Sequence, residues 1–456
     1  MYFDPDLIFY MTFFQRLSYA ALNFPTAAAG MPIFIFILPY YAGDLGLGLS
    51  LVGIIFFLGR IMDIFTDPIM GVLIDKFPSK WGKHKHWIFL SAPVLMLATY
   101  LIFLPPVSSA STYYFFLALF LLYSGFTLSS ITQLSWSSFL VSDYDDRTRL
   151  LTFRELMALI GMLCVIAIPA IVELFNTSLE AKVLAIGIFV LFSIPIMTLN
   201  ALKHVPDSLK TNHQSITENP FRIFFSLFKN LMLNKIIFAA FLIAFCMGLN
   251  GALYLIWMEV VIELPGYSSR LMLAYYLVSI LGLWAWRQLS IKTNKHYAAA
   301  VACVYAMVIL VIGFIGYGFI RELDDFTKLI LVGLFIILYG FSFSGPFPLI
   351  NAIIADISDK LSLDYDENIS GTVFSYLTAI IKLGFALAAM VPYLALELLW
   401  GFDISLGIAN TESSKMAIFY IWSFVPIFSY GIAAFMLFTH SLGRNEHEQI
   451  KESLRQ

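Results

Sequence analysis

Charge is scarce in this sequence: Asp, Glu, Lys and Arg make up 12% of its 456 residues, while 60% are hydrophobic and the mean hydropathy is +0.84. That balance excludes an ordinary soluble domain, in which about a quarter of residues are charged. Cysteine is nearly absent too. Cys164, Cys246 and Cys303 each lie within an apolar run and read as small buried hydrophobes, so neither disulfides nor thiolate metal sites are expected. The histidines (His84, His86, His204, His213, His296, His440 and His447) all fall in loops or tails, which excludes a histidine relay inside the membrane. Zinc-ligand spacing and a Gly-x-Ser-x-Gly elbow are missing, so neither an enzyme nor a bound cofactor is expected. Basic residues are too few and too loop-bound for a nucleic-acid partner. Met1 to Asp6 is acidic and leads into a long apolar run; no cleavable leader is expected, and the first span would act as the insertion signal.

What is present is a series of apolar runs of about 20 residues, the length that crosses a hydrocarbon core as a helix. They are not alternating strands, and in lipid each backbone amide must be satisfied within its own segment, so the expected fold is all-α and integral to the membrane. Spans are expected near 17–41, 50–75, 87–106, 113–140, 150–173 and 182–201, then near 235–262, 269–291, 297–320, 327–357, 370–399 and 416–440. Six plus six implies an N-terminal bundle over 1–202, a linker over 203–234 and a C-terminal bundle over 235–456. Within the linker, Phe221 to Lys229 reads as a short amphipathic helix on the membrane surface. Lys76, Lys80, Lys83 and Lys85 crowd the loop between spans two and three, whereas Pro105 to Ser111 carries no charge. By the positive-inside rule the basic loop, the linker and both termini face the cytoplasm of a cell-membrane protein. A partial internal echo (Gly48-Leu49-Ser50 with Gly266-Tyr267-Ser268, and Lys83-His84 with Lys295-His296) supports duplicated halves.

Against this background Asp63 and Asp67 stand out. Their four-residue spacing in Arg60-Ile61-Met62-Asp63-Ile64-Phe65-Thr66-Asp67-Pro68 puts both carboxylates on one helix face inside a span. Intramembrane carboxylates are costly and usually serve an ion path, a proton relay or a structural pair. Two of them facing a cavity offer hard oxygens for a monovalent cation, with Thr66 or a water completing the shell. Without a cation the pair needs a proton or a neighbouring base. Arg60 and Lys382 are the candidates for that base, and an ion-pair network packing the halves is the plainer alternative. In the second half Leu281 and Ala285 fall where the aspartates would be, which assigns any such site to the first half alone.

The run Arg60-x-x-Asp63-x-x-x-Asp67-Pro68-x-x-Gly71, continued by Trp81-Gly82-Lys83-x-Lys85-x-Trp87, resembles the glycoside–pentoside–hexuronide:cation symporters of the major facilitator superfamily, the melibiose permease family. The resemblance implies twelve helices in two six-helix bundles and secondary active symport of a sugar, glycoside or uronate by alternating access. It implies Na⁺, Li⁺ or H⁺ as coupling ion at Asp63 and Asp67, and Arg60 and Lys382 as coupling groups. It also implies Trp136 at the sugar site and matches Arg154 to an arginine of the fifth span and Thr378, with Lys382, to the threonine and lysine of the eleventh, which makes Arg154 and Thr378 substrate-site candidates. Both sugar-gripping carboxylates of the melibiose permease are missing, since Ala27 and Thr132 stand at their positions; uronates, other glycosides or amphiphiles therefore stay open, including the lysolipids carried by vertebrate relatives.

The residues themselves add further candidates. Ser129, Thr132, Gln133 and Trp136 belong to a fourth span too polar for lipid and are expected to line the cavity, although hydroxyls also serve helix packing. Arg154 would suit an anionic substrate group. Phe347 and Asn351 are weaker pocket candidates. Asp75 with Lys83 and Lys85 reads either as a gate or as a solvated basic loop, and Asp143, Asp145 and Asp146 read first as loop solvation. The expected partners are the small-molecule solute, a monovalent cation and the bilayer, and a twelve-span bundle can work as a monomer.

Overall fold

The computed structural model describes residues 11–77, 79–105, 110–141, 144–207, 227–364 and 369–439. Most of the expected linker helix, including Phe221, lies outside the described residues. The chain divides into two compact units, Met1–His213 and Gln214–Gln456, and among the described residues 12 helices are long and apolar enough to cross a membrane.

In the first unit these are α1 (Phe13–Ala42), α2 (Leu49–Lys76), α3 (Lys85–Phe103), α4 (Thr112–Leu140), α5 (Tyr144–Val172) and α6 (Leu179–His204). The second holds α7 (Leu231–Val261), α8 (Ser268–Lys292), α9 (Lys295–Ile320), α10, α11 (Ser370–Trp400) and α12 (Glu412–Phe438). α10 is broken at Ser344 into Asp325–Phe343 and Pro346–Asp364. Many starts are written into the sequence. Thr12 and Gln15 form a reciprocal capping box before α1, and Ser111, Ser178, Asn230, Asn294, Asp324 and Thr411 each accept a backbone N–H from the first turn that follows.

α1 is bent, as its prolines imply: Pro32 sits inside it and the next five residues, Ile33–Ile37, form a π turn. α7, the opening helix of the second unit, ends in a π turn of its own over Trp257–Val261. The internal echo thus continues into local geometry. Gly48 before α2 and Gly266 before α8 both take positive φ, 78° and 86°, a conformation glycine adopts without Cβ strain.

In the first unit α1 packs on α5, α2 on α4, and α3 on both α4 and α6; in the second, α7 packs on α11 and α12, α8 on the first part of α10, and α9 on α12. One end of the first unit is closed by a polar latch. Asp207, just past α6, accepts the backbone N–H groups of His84 and Lys85 at 2.7 and 2.9 Å, and its other oxygen lies 3.1 Å from His84 Nδ1. Its carboxylate therefore caps the start of α3, where the helix dipole favours an anion. His84 Nε2 meets Ser135 on α4 at 3.1 Å. Gly82 is part of the latch, because a Cβ there would overlap the Asp207 carboxylate. Burial raises the Asp207 pKa, but the hydrogen bonds from the His84 ring and the two backbone amides outweigh it and hold the group below the ordinary carboxylate value.

A carboxylate depressed in the folded state stabilises fully above its unfolded pKa and loses that contribution as pH falls through its folded value. Asp207→Asn is accordingly expected to cost about 1–3 kcal/mol near neutral pH. It should also remove part of the acid destabilisation seen in the parent protein, as measured by thermal unfolding in detergent across the acid range.

Candidate cation and substrate sites

Asp63 and Asp67 face α4 from α2. The hydroxyl of Thr127 on α4 contacts Asp63 Oδ1 at 2.7 Å and Asp67 Oδ1 at 2.9 Å, so the two carboxylate oxygens are no further apart than these contacts laid end to end. Asp63 is buried and Asp67 partly so. A threonine hydroxyl carries a single proton, which cannot fully satisfy two carboxylates at once. Both carboxylates make further interactions besides the one with Thr127. Among the described residues no group of three or more His, Cys, Asp or Glu is placed to hold a metal, so further ligands for an ion here would be hydroxyls, carbonyls or water.

Thr127 is the residue that the sequence reading misses. Thr66, chosen there to complete the ion shell, donates instead to the Asp63 carbonyl at 3.2 Å. The signal that could have found Thr127 is its position on α4 one turn beyond Tyr123, two polar groups on one face of an apolar segment.

Arg60 lies one turn before Asp63, with NH1 3.7 Å from Asp63 Oδ2. That is an ion pair too long for a hydrogen bond. Its guanidinium carbon instead sits 4.7 Å from the Tyr123 ring centroid, 5.5 Å from Phe34 and 5.6 Å from Phe56, an aromatic cage that stabilises a cation where water is scarce. Arg60 Nε and the Tyr123 hydroxyl are buried without hydrogen-bond partners. Gly59 admits the Tyr123 ring, whose edge lies 3.1 Å from where a Cβ would stand.

A second polar cluster joins α1, α4 and α5. Gln133 donates to the Tyr19 carbonyl at 2.8 Å and accepts from Arg154 Nε at 3.0 Å, while the Tyr19 hydroxyl donates back to the Gln133 carbonyl at 2.6 Å. Arg154 also pairs with the exposed Glu155 at 2.5 Å. Ser129 and Thr132 are buried, and the Thr132 hydroxyl has no hydrogen-bond partner.

Trp136 departs from expectation. It is 0% exposed, its indole N–H donates to the Pro206 carbonyl at 3.0 Å, and it lies nearly parallel to His84 at 6.1 Å in a core with Tyr19, Ile88 and Leu150. In this arrangement the residue braces the end of the unit that the latch closes. Asp146, read as loop solvation, pairs with Arg16 at 3.0 Å across α1 and α5. Lys83 and Lys85 are half-buried beside the latch, and the side chain of Asp75 lies outside the described residues.

In the second unit the Thr378 hydroxyl is exposed and returns to the Phe374 carbonyl at 2.9 Å, Phe347 stacks on Phe385 at 6.5 Å, and Asn351 is exposed. Lys382 is half-buried on α11. Leu281, the counterpart of Asp63, is exposed, as an apolar residue facing lipid would be.

Twelve apolar helices and a buried carboxylate pair on one of them describe a multi-pass membrane transporter of the major facilitator fold. The chain belongs to the MFS/sugar transport protein family, which it matches over residues 18–444. The resemblance to glycoside–pentoside–hexuronide:cation symporters is borne out by this match. The chain is 23% identical to an isoprimeverose transporter of Lactiplantibacillus pentosus, over 96% of this chain and 90% of that one. It is 30% identical to the sodium-dependent lysophosphatidylcholine symporter 1 of Homo sapiens, over 24% of this chain and 20% of that one. Among solved structures the nucleoside transporter NupG superposes with a TM-score of 0.65 at 13% identity, over 94% of this chain and 100% of that one, which is a likeness of fold.

Thr127→Val keeps the volume and removes the shared donor from between two carboxylates. Thermal unfolding in cation-poor buffer is expected to show a loss of about 1–3 kcal/mol, with Thr127→Ser close to the parent.

Proposed function

We propose that this transporter carries a sugar, glycoside or uronate by alternating access, coupled to a monovalent cation, Na⁺, Li⁺ or H⁺, bound at Asp63, Asp67 and Thr127. The observation that carries the reading is the single Thr127 hydroxyl joining two carboxylates inside an apolar bundle. Three oxygens converging within an apolar segment are hard ligands of the kind a monovalent ion takes. Arg60 is held mainly by aromatic rings, with its Asp63 contact at 3.7 Å, and belongs to the proposal as a coupling group beside the pair. Cation and solute affinities then rise together, and by linkage the effect is reciprocal. Lys382 belongs to the same proposal as a basic coupling group of the second unit.

For the solute, the first unit offers Gln133 and Arg154, with Ser129 and Thr132 on the same helix as Gln133. Arg154 suits a uronate carboxylate if it exchanges Glu155 for substrate. Thr378, Phe347 and Asn351 are the candidates of the second unit. Similarity to an isoprimeverose transporter along nearly the whole chain supports a glycoside. Similarity to lysophosphatidylcholine symporters over about a quarter of the chain supports, as a second reading, an amphiphile. The basic segment from Lys76 to Lys85 supports an orientation with both termini cytoplasmic in the cell membrane. There Asp75, Lys83 and Lys85 would gate the cytoplasmic side, and one chain would suffice for transport.

Uptake into proteoliposomes with an imposed Na⁺ or H⁺ gradient tests the reading, using radiolabelled pentosides, hexosides, uronates and lysolipids. One cation gradient is expected to drive accumulation of a sugar-class solute. Asp63→Asn/Asp67→Asn should cut that gradient-driven component by about 5- to 150-fold, the usual span of a coupling energy, and Lys382→Gln should lower it as well. Accumulation of lysolipid alone would select the second reading, and equal uptake with and without the carboxylates would end the coupling assignment.

A further inference from the structure

The helix that supplies Thr127 supplies a second group one turn earlier. Tyr123 and Thr127 lie on one face of α4. Where Thr127 meets Asp63 and Asp67, the Tyr123 ring meets the Arg60 guanidinium, whose central carbon is 4.7 Å from the ring centroid. Phe34, in the π turn of α1, and Phe56, one turn before Arg60 on α2, complete the cage at 5.5 and 5.6 Å. The rings brace one another: Phe34 meets Phe56 edge-on with centroids 4.9 Å apart, and Phe56 meets Tyr123 in the same manner at 6.4 Å. The guanidinium has a second place to go. Its NH1 is 3.7 Å from Asp63 Oδ2, about 1 Å beyond a charge-assisted hydrogen bond, and an arginine side chain has the rotatable bonds to cross that gap.

We propose that Tyr123 is a positioning residue of cation coupling: with Phe34 and Phe56 its ring draws the Arg60 guanidinium off Asp63, and the strength of that attraction sets the affinity of the carboxylate pair for the coupling cation. The inference rests on the proposed reading of Asp63 and Asp67 as the cation site. An aromatic face attracts a cation electrostatically, and more strongly where water is excluded; Tyr123 is 2% exposed. Its hydroxyl is buried without a hydrogen-bond partner, so the ring rather than the hydroxyl is the working part. Asp63 attracts the same guanidinium from the other side. A guanidinium drawn in to Asp63 neutralises charge that a metal cation or a proton would otherwise neutralise, so the two compete. Weaker rings therefore mean a weaker cation site. Phe34 extends the effect to α1, because the π turn carries its ring and a shift of that turn would be felt at Arg60.

The test titrates the purified full-length chain in detergent with NaCl, LiCl or acid at constant ionic strength, with choline chloride as the inert salt, and reads the half-saturating cation concentration by thermal shift. Tyr123→Leu should raise that concentration about 2- to 30-fold, the span of a cation–π contact from exposed to desolvated settings. Tyr123→Phe keeps the ring and should stay within about twofold of the parent. Phenylalanine carrying one, two or three fluorines at position 123 loses negative charge from the ring face at nearly constant shape. The half-saturating concentration should climb with each fluorine, a series that a residue serving only to pack would not produce. In an Arg60→Gln background Tyr123→Leu should leave the concentration unchanged, because the ring then has no guanidinium to draw. If Tyr123→Leu misfolds, the fluorinated series decides alone. A flat fluorine series, or an equal effect of Tyr123→Leu without Arg60, would overturn the positioning role. The cation reading would survive that result so long as the parent responds and Asp63→Asn/Asp67→Asn does not. A parent that responds to none of the three cations would overturn both.

Discussion

Two carboxylates inside an apolar helical bundle must be compensated, and most of what is distinctive in the first unit follows from that need. Unit charges of like sign roughly 5 Å apart repel by about 3 kcal/mol at an effective dielectric of about 20. A hydrogen bond from a neutral hydroxyl to a carboxylate returns about 1.5–3 kcal/mol. These magnitudes nearly match, so the Thr127 hydroxyl is one of the contacts that hold Asp63 and Asp67 together. Arg60 adds a positive charge one turn away but leans on Tyr123, Phe34 and Phe56 at ring distances while its Asp63 contact stays long. The proposed coupling would act on this balance, with a cation or proton added to the pair.

The two units share a plan and differ in chemistry. Each begins with a helix that carries a π turn, a local irregularity often found at functional positions, and in each a positive-φ glycine precedes the second helix. At the position that the internal echo aligns with Asp63 the second unit has Leu281, which is exposed. That unit concentrates neutral aromatic and amide groups around a cavity instead.

The helices were legible because hydropathy alone fixes which segments cross a membrane, and their starts were legible in caps such as Thr12, Asn230 and Asn294. The aspartate pair was legible as well, since four-residue spacing on a helix needs no tertiary knowledge. Thr127 was not, because it meets the pair from a different helix, 60 residues or more further along the chain. The enclosure of Trp136 was not legible either, for a related reason. An indole on a polar helix suits a sugar site equally well, and only the return of the chain past α6, bringing Pro206 and Asp207 against Trp136 and His84, shows the ring enclosed. The cage of Phe34, Phe56 and Tyr123 around Arg60 combines three helices, so nothing local in the sequence marks it.

The most direct measurement of the central claim is charge movement in proteoliposomes on a solid-supported membrane, triggered by a sugar-class solute identified from uptake, at fixed voltage and varied Na⁺ and pH. Cation coupling through the Asp63–Thr127–Asp67 triad predicts a solute-evoked current that depends on one of these cations. It should be reduced in Thr127→Val and lost in Asp63→Asn/Asp67→Asn. A current of undiminished size and unchanged cation dependence in the double variant would contradict the account and leave the two aspartates as structural residues.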